Sequence, residues 1–354
     1  VSRGTKTRAT NPPLPHNLHI VTGKGGTGKT TIAAALATSL AGANRRVLLC
    51  EVEKRQGISE IFGAPPLERD EERRLCRTPA GGEVFGLSVD AEYALLEYLE
   101  TFYHLGLAGK ALDRFGVIDF ATSIAPGLRD VLLTGKVYEA VRRAEKGRSD
   151  AYDAVVLDAP PTGRIAQFLN VHEAVAGLAK VGPIRSQADS IMRVLRSAGT
   201  VVHVVTLLED MPVTETAEAI ADLAPTKINI GAVVANMITP GRLRDDQLSA
   251  AARGELRLNI PGLGAAQTKA LAAEFGIDAE RSVAERDCYR RLLSLQLPLA
   301  DVPLDPAGID EGALFAIGET LAAQLPARFK RSHPVVDPEV VGSSPQHQLL
   351  QEHR

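Results

Sequence analysis

Apolar and polar positions along the chain alternate between two textures. Short apolar runs rich in β-branched residues occur at Leu18–Val21, Val47–Leu49, Val84–Val89, Ala154–Leu157, Val201–Thr206 and Ile228–Ala235, with a shorter one at Leu299–Val302, and these predict buried strands. Helical stretches separate them, so the pattern predicts an α/β fold with a mainly parallel central sheet flanked by helices. Between Ala91 and Lys146 the reading changes to helix, with Leu95, Leu96, Leu99, Phe102 and Tyr103 at helical spacing. A second helical block, rich in Ala, Leu, Arg and Glu, runs from about Leu243 to Leu295. Both blocks interrupt the succession of strands and predict an inserted helical subdomain on the side where the strand C-termini open. The run Arg69-Asp70-Glu71-Glu72-Arg73-Arg74 predicts a solvated helix with i,i+4 ion pairs.

The two ends differ from the middle. Val1–His16 is basic, polar and rich in proline, which predicts a flexible arm over residues 1–16. From about Arg328 the chain is polar and broken by Pro334, Pro338 and Gly342-Ser343-Ser344-Pro345, which predicts a disordered tail over 328–354. No internal repeat is visible, so residues 17–327 are expected to form a single domain with helical insertions at about 91–146 and 243–295.

Composition narrows the classes. With 354 residues and 45% apolar content the chain can bury one large core or two modest ones. A net charge of −3 provides no basic excess for bulk nucleic-acid binding, so no nucleic-acid partner is expected. No apolar run approaches the length of a membrane-spanning helix, and the N-terminus lacks the apolar core of a signal peptide. The three cysteines, Cys50, Cys76 and Cys288, lie far apart without a C-x-x-C pair, which argues against a disulfide framework, a zinc clip or an iron–sulfur ligand set. The cytoplasm is the expected compartment.

The densest chemistry lies at residues 23–31, Gly-Lys-Gly-Gly-Thr-Gly-Lys-Thr-Thr. Gly23, Gly28, Lys29 and Thr30 satisfy G-x-x-x-x-G-K-[ST], with the apolar run Leu18–Val21 before it and the helical stretch Thr31–Ala37 after it. Such a loop wraps backbone N–H groups around phosphate oxygens, and the helix N-terminus adds its positive end. Lys29 is placed to reach the β and γ phosphates and Thr30 to hold magnesium. Lys24 is not required by this pattern; it is either a solvated charge or a second phosphate contact.

Triphosphate hydrolysis also needs an acid for magnesium and a group that orients water. Ala154-Val155-Val156-Leu157-Asp158 is an apolar strand ending in Asp, so Asp158 is the candidate to hold magnesium through water. Ala159-Pro160-Pro161-Thr162-Gly163-Arg164 follows as a rigid turn placed to sense the γ-phosphate. At the end of the second strand, Glu51 and Glu53 lie on the same face of an extended chain, and spacing alone does not choose which of them orients water.

These segments together resemble a known family. Gly23–Thr31 with its early lysine is similar to the deviant Walker A loop shared by partition, cell-division-site and nitrogenase-iron ATPases. Asp158–Gly163 resembles the D-T-A-P-T-G segment of the ArsA-type branch, which holds the arsenite-pump ATPase and the ATPase that targets tail-anchored membrane proteins. Ala125–Asp130 looks like that branch's A-P-G-x-x-[DE] helix start, and Leu208–Thr216 is similar to its P-E-x-x-x-x-x-E-T stretch. Val234-Ala235-Asn236 resembles its adenine-contacting V-V-N, and Val302-Pro303-Leu304 the strand end that flanks the base. The resemblance runs from about residue 17 to 325 and implies an ATP- and Mg2+-dependent ATPase of the P-loop NTPase class.

The resemblance assigns roles. Lys24 would cross a dimer interface to the partner's nucleotide. Gly23, Gly25, Gly26, Thr27, Gly28, Lys29, Thr30 and Thr31 would bind phosphate, with Thr30 and Asp158 at magnesium, and Glu209, Asn236 and Pro303 would contact the nucleoside. The family's D-P-A-x-x-L-S-[DE]-x-F-G stretch aligns with Glu53–Gly63 through Ser59, Glu60, Phe62 and Gly63, which makes Glu53 the water-orienting carboxylate. One such half in the chain implies a homodimer or a heterodimer with a paralogue, and the family's cargoes imply a membrane or hydrophobic-protein partner, with a peripheral membrane location as one outcome.

Departures from the family pattern matter as well. Glu53-Lys54 stands where the family has Asp-Pro, C-x-x-C zinc ligands are missing, and the chain has three methionines where a cargo groove is usually methionine-lined. Cys76 and Cys288 are isolated where an arsenite site would cluster thiols. An ATP-binding scaffold with little turnover is therefore an alternative; a partition or division-site ATPase ranks last, because residues 328–354 are too polar for an amphipathic membrane helix. The apolar residues Leu105, Leu107, Phe115, Val117, Ile118, Phe120, Leu132 and Leu133 fit either a core or a cargo surface. His104 and His172 have no partner at metal or triad spacing.

Overall fold

The computed structural model describes residues 14, 17–42, 44–52, 56–103, 126–145, 148, 150–171, 183–239, 245–256 and 260–325. Its framework is an eight-stranded sheet in the order β3-β4-β2-β5-β1-β6-β7-β8. The strands are β1 (Leu18–Gly23), β2 (Arg46–Glu51), β3 (Arg73–Arg77), β4 (Glu83–Ser88), β5 (Ala154–Asp158), β6 (Thr200–Thr206), β7 (Ile230–Ile238) and β8 (Leu299–Pro303). Every neighbouring pair is parallel except β3–β4. The predicted α/β class with a mainly parallel sheet is the observed one.

Alternation along the central strands divides the core into two layers. Leu18 and Ile20 of β1, Val155 and Leu157 of β5, and Val202 and Val204 of β6 face one cluster. That layer is closed by α4 (Pro126–Glu145), α5 (Thr162–Leu169), α6 (Pro183–Leu195) and α7 (Asp210–Leu223). Val21, Val156 and Val205 face the other layer, with α1 (Lys29–Leu40), α2 (Gly57–Ile61) and α10 (Glu311–Gln324). Helix α1 is apolar around its whole circumference, Ile32 to Thr38 being buried without interruption, because it lies between the sheet and α10. Gly318 makes that approach possible: a Cβ there would stand 2.7 Å from the Ala35 carbonyl oxygen.

Helical runs leave the sheet from the C-terminal ends of β4 and β7. The first gives α3 (Ala91–Tyr103) and then α4, and the second gives α8 (Asp245–Ala252) and the 30-residue α9 (Ala265–Ser294). Leu132 and Leu133 are buried in or beside the sheet-facing core, whereas Leu105, Leu107, Phe115, Val117, Ile118, Phe120, His104 and His172 lie outside the described residues. So do the predicted arm, apart from Leu14, and the predicted tail. No helix among the described residues is long and apolar enough to cross a membrane.

One prediction is overturned. Arg69–Arg74 is not a helix: Asp70 has a left-handed φ of 53°, Arg69 bridges Ser88, and Arg73 opens β3, which runs antiparallel to β4. The charges that suggested i,i+4 pairs bond across the fold instead. Glu72 accepts hydrogen bonds from Arg143 Nη1 (2.5 Å) and Tyr152 Oη (2.7 Å). Lys136 of α4 lies 3.7 Å from Asp70 and also pairs with Glu97 of α3. An edge strand spelled Arg-Arg-Leu-Cys-Arg shows no clean alternation, and its charges discourage pairing with another chain.

Burial pushes the Asp70 carboxyl up from 3.8 to about 6, against the pull of Lys136. Between those two values the folded chain binds more proton than the unfolded chain, so this group's contribution to stability falls as pH rises from 4 to 6. Asp70→Asn removes that titration. The difference in midpoint between Asp70→Asn and wild type, followed by thermal unfolding, is therefore expected to move in favour of the variant as pH rises from 4 to 7; a difference independent of pH would contradict the assignment.

Candidate functional site

The loop between β1 and α1 forms a phosphate-sized cradle. Gly26 and Gly28 hold left-handed φ values of 86° and 83°, which let the chain turn sharply after Gly23. Thr27 is buried, and its hydroxyl donates to the Lys24 carbonyl at 2.9 Å. Lys29 is buried as well and points its Nζ back along the loop, 3.4 Å from the same carbonyl. Gly25 and Gly26 are exposed, with open space where a Cβ would stand. Helix α1 starts without a side-chain cap and without an acidic residue in its first turn, so its leading N–H groups and positive dipole end face the loop. This arrangement fits a triphosphate.

Parallel pairing sets the rest of the site in register. β5 lies between β1 and β2, with Asp158 opposite Val21 on one side and Glu51 on the other. Thr30 Oγ1 donates to Asp158 Oδ2 at 2.6 Å, so the hydroxyl and carboxylate expected at magnesium stand together. Magnesium characteristically takes one or two protein oxygens and fills the rest with phosphate and water, and this pair matches that demand. Thr31 is half-buried in the same first turn of α1. Gly57 closes over Thr30: a Cβ on it would stand 3.3 Å from the threonine methyl.

The structure separates the two carboxylates that spacing left open. Glu51 is buried and already committed: it accepts from the amides of Gln56 (3.2 Å) and Ile58 (3.4 Å) and from Ser88 Oγ (3.0 Å). It anchors the start of α2. Glu53 lies outside the described residues.

At the C-terminal ends of β7 and β8 stand the residues assigned to the nucleoside. Asn236 is buried, and its Nδ2 donates to the Thr27 carbonyl at 2.9 Å, so its amide braces the loop. A Cβ on Gly28 would collide with that amide, which explains glycine there beyond its φ. Met237 follows with a left-handed φ of 56° and an exposed side chain. Pro303 pairs with Ile238 and is exposed, and Glu209 is the exposed N-cap of α7.

Sequence spacing did not reveal the partner of Lys24. Its Nζ lies 2.6 Å from Glu215 Oε1 on α7, and the second oxygen, Oε2, accepts from Thr162 Oγ1 at 3.4 Å, at the start of α5. Two residues further along α5, Arg164 Nη2 stands 3.5 Å from Asp130 Oδ1 of α4, whose carboxyl burial pushes up while Arg164 pulls it down. Glu215 falls in the segment that resembles the family's E-T stretch, but its two contacts arise from tertiary packing.

The loop thus leaves a parallel strand in the middle of the sheet and presents its threonine to the acid of the neighbouring strand, which is how P-loop nucleoside-triphosphatases are built. Comparison with known proteins specifies the kind. The family profile described as anion-transporting ATPase matches residues 16–199. The chain is 48% identical over 316 residues to ATPase BagA of Mycobacterium tuberculosis, covering 87% of this chain and 93% of that one. It is 26% identical over 194 residues to ATPase GET3 of Kluyveromyces lactis, covering 52% and 54% of the two chains. The chain belongs to the anion-transporting (ArsA-type) ATPase family and is an ATPase.

Glu51→Ala strips one hydroxyl and two backbone amides of their buried acceptor. It is expected to cost about 2 kcal/mol of stability, read as a lower midpoint in denaturant unfolding. An unchanged midpoint would show that Glu51 is not structural.

Proposed function

We propose that the chain is a magnesium-dependent ATPase whose hydrolysis is gated by dimerisation, and that its cycle acts on a membrane or hydrophobic-protein partner from the cytoplasmic side. The observation that carries this reading is the 2.6 Å hydrogen bond between Thr30 and Asp158 beneath the uncapped start of α1. Lys29 and the amides of Gly25–Thr31 bind the β and γ phosphates, and Glu209, Asn236 and Pro303 border the nucleoside. Thr30 would hold the metal directly and Asp158 through water. Magnesium, when bound, neutralises charge on the phosphates. Glu53 orients the attacking water, a role for which Glu51 is poorly suited because its oxygens already accept hydrogen bonds from Gln56, Ile58 and Ser88.

Lys24 supplies the gate. It sits on the exposed side of the loop, and in this reading it leaves its own subunit's carboxylate to reach the phosphate held by a second copy or a paralogue. Hydrolysis then requires two chains. The names of the relatives carry the functional class but not the cargo.

Lys24→Ala is expected to lower ATP hydrolysis at least about 100-fold, the order of loss of a transition-state charge contact, and to abolish ATP-driven dimerisation while leaving ATP binding by one subunit intact. Phosphate release and analytical ultracentrifugation read the two effects, and full turnover would sink the gate. Glu53→Gln is expected to bind ATP and stay trapped as a dimer. If Glu51→Gln traps it instead, the water-orienting role belongs to Glu51. Phosphate release by wild type at the protein-free background rate, with and without membranes, would favour the scaffold reading.

A further inference from the structure

Glu215 is the common acceptor of two groups from the two halves of the phosphate site. One oxygen takes Lys24 of the loop at 2.6 Å; the other takes Thr162, the first residue of α5 and four positions after Asp158, at 3.4 Å. The helix that carries Glu215 is firmly seated. Val213, Thr216, Ala219 and Leu223 bury one face of α7, Thr216 Oγ1 bonds back to Pro212, and Arg291 of α9 bonds Asp210 and Thr214 at 2.5 and 2.6 Å. The backbone that carries the carboxylate is therefore firmly held, while Lys24 is a long side chain beside the exposed Gly25 and Gly26.

We propose that Glu215 is the positioning residue for Lys24, and that through Thr162 it couples the state of that lysine to α5. This rests on Lys24 acting on phosphate across the dimer. Held by Glu215, the ammonium stands at the rim of the loop with much of its rotamer freedom already removed, which lowers the cost of delivering it to a phosphate. The pair is about a third exposed on each side (31% and 30%), so it is weak enough to exchange when a polyphosphate offers a denser charge. When Lys24 departs, Glu215 keeps only Thr162, and the balance of contacts at the head of α5 changes. Arg164 on the same helix meets Asp130 of α4, so the first turn of α5 links the lysine to the helical run that follows β4.

The test uses the full chain. Glu215→Gln keeps the shape of the side chain and an acceptor for Thr162 while removing the charge that holds Lys24. It is expected to lower kcat about fivefold, through the rotamer freedom that an unheld Lys24 regains, with KM for ATP changed less than about twofold; Glu215→Asp recovers part of the loss. Hydrogen exchange at Thr162–Ile165, measured without added nucleotide, supplies a readout free of turnover. Lys24→Ala and Glu215→Gln should raise exchange there by similar amounts, and the double variant no further, because all three break one chain of contacts. Unchanged kcat in Glu215→Gln, or exchange that adds up in the double variant, overturns the positioning role. Full turnover in Lys24→Ala overturns the underlying gate instead, whatever Glu215→Gln does.

Discussion

The burial of α1 is the constraint on which the site depends. A surface helix carries one apolar stripe and can shift along it, whereas α1 is packed on every side between the sheet and α10. Gly318 lets α10 approach the α1 backbone so closely that even a methyl group would not fit without displacing it. The N-terminal turn is thereby fixed relative to β5. Thr30 meets Asp158 at 2.6 Å, and the amides that would bind phosphate are positioned by packing rather than by side-chain caps. A loop of glycines can be permissive here because the elements at its two ends are not.

Around that fixed turn the polar contacts form a graded set. Thr27, Lys29 and Asn236 are buried and bind one another or the loop carbonyls, so they maintain its shape. Lys24 and Glu215 are half-exposed and bind by charge, a bond that salt and competing phosphate can loosen. The buried contacts stay within the loop and β7, whereas the half-exposed pair joins the loop to α7. The start of α5, reached from Asp158 through Ala159-Pro160-Pro161, is tied on one side to this exchangeable pair and on the other to α4.

What the sequence made legible follows the range of each interaction. Gly23–Thr31 and Asp158 could be read because their meaning is local: a strand, a turn and a helix start, or a strand ending in an acid. Contacts between residues far apart were not legible. Nothing near Lys24 names a partner 191 positions away, and Asn236, assigned to the nucleoside by resemblance, has its amide nitrogen bonded to the Thr27 carbonyl. The strand β3 was hidden for another reason: its charged edge sequence reads as a solvated helix until the left-handed Asp70 and the partners Lys136 and Arg143 are seen. Helices α6 and α10 lie in stretches without motifs, and burial against the two core layers, not any local signal, defines them.

The end of β2 shows how a structural carboxylate constrains a functional one. Glu51 and Asp158 are direct neighbours in the sheet, two acids at adjacent strand ends. Each has hydrogen-bond donors of its own: Gln56 N–H, Ile58 N–H and Ser88 Oγ–H at Glu51, the Thr30 hydroxyl at Asp158. The same three bonds at Glu51 fasten the far side of the segment that leaves β2, since Gln56 and Ile58 bracket Gly57 where it meets Thr30. Val52, which follows Glu51, is buried, and Gly57 meets the methyl of the same Thr30 that bonds Asp158.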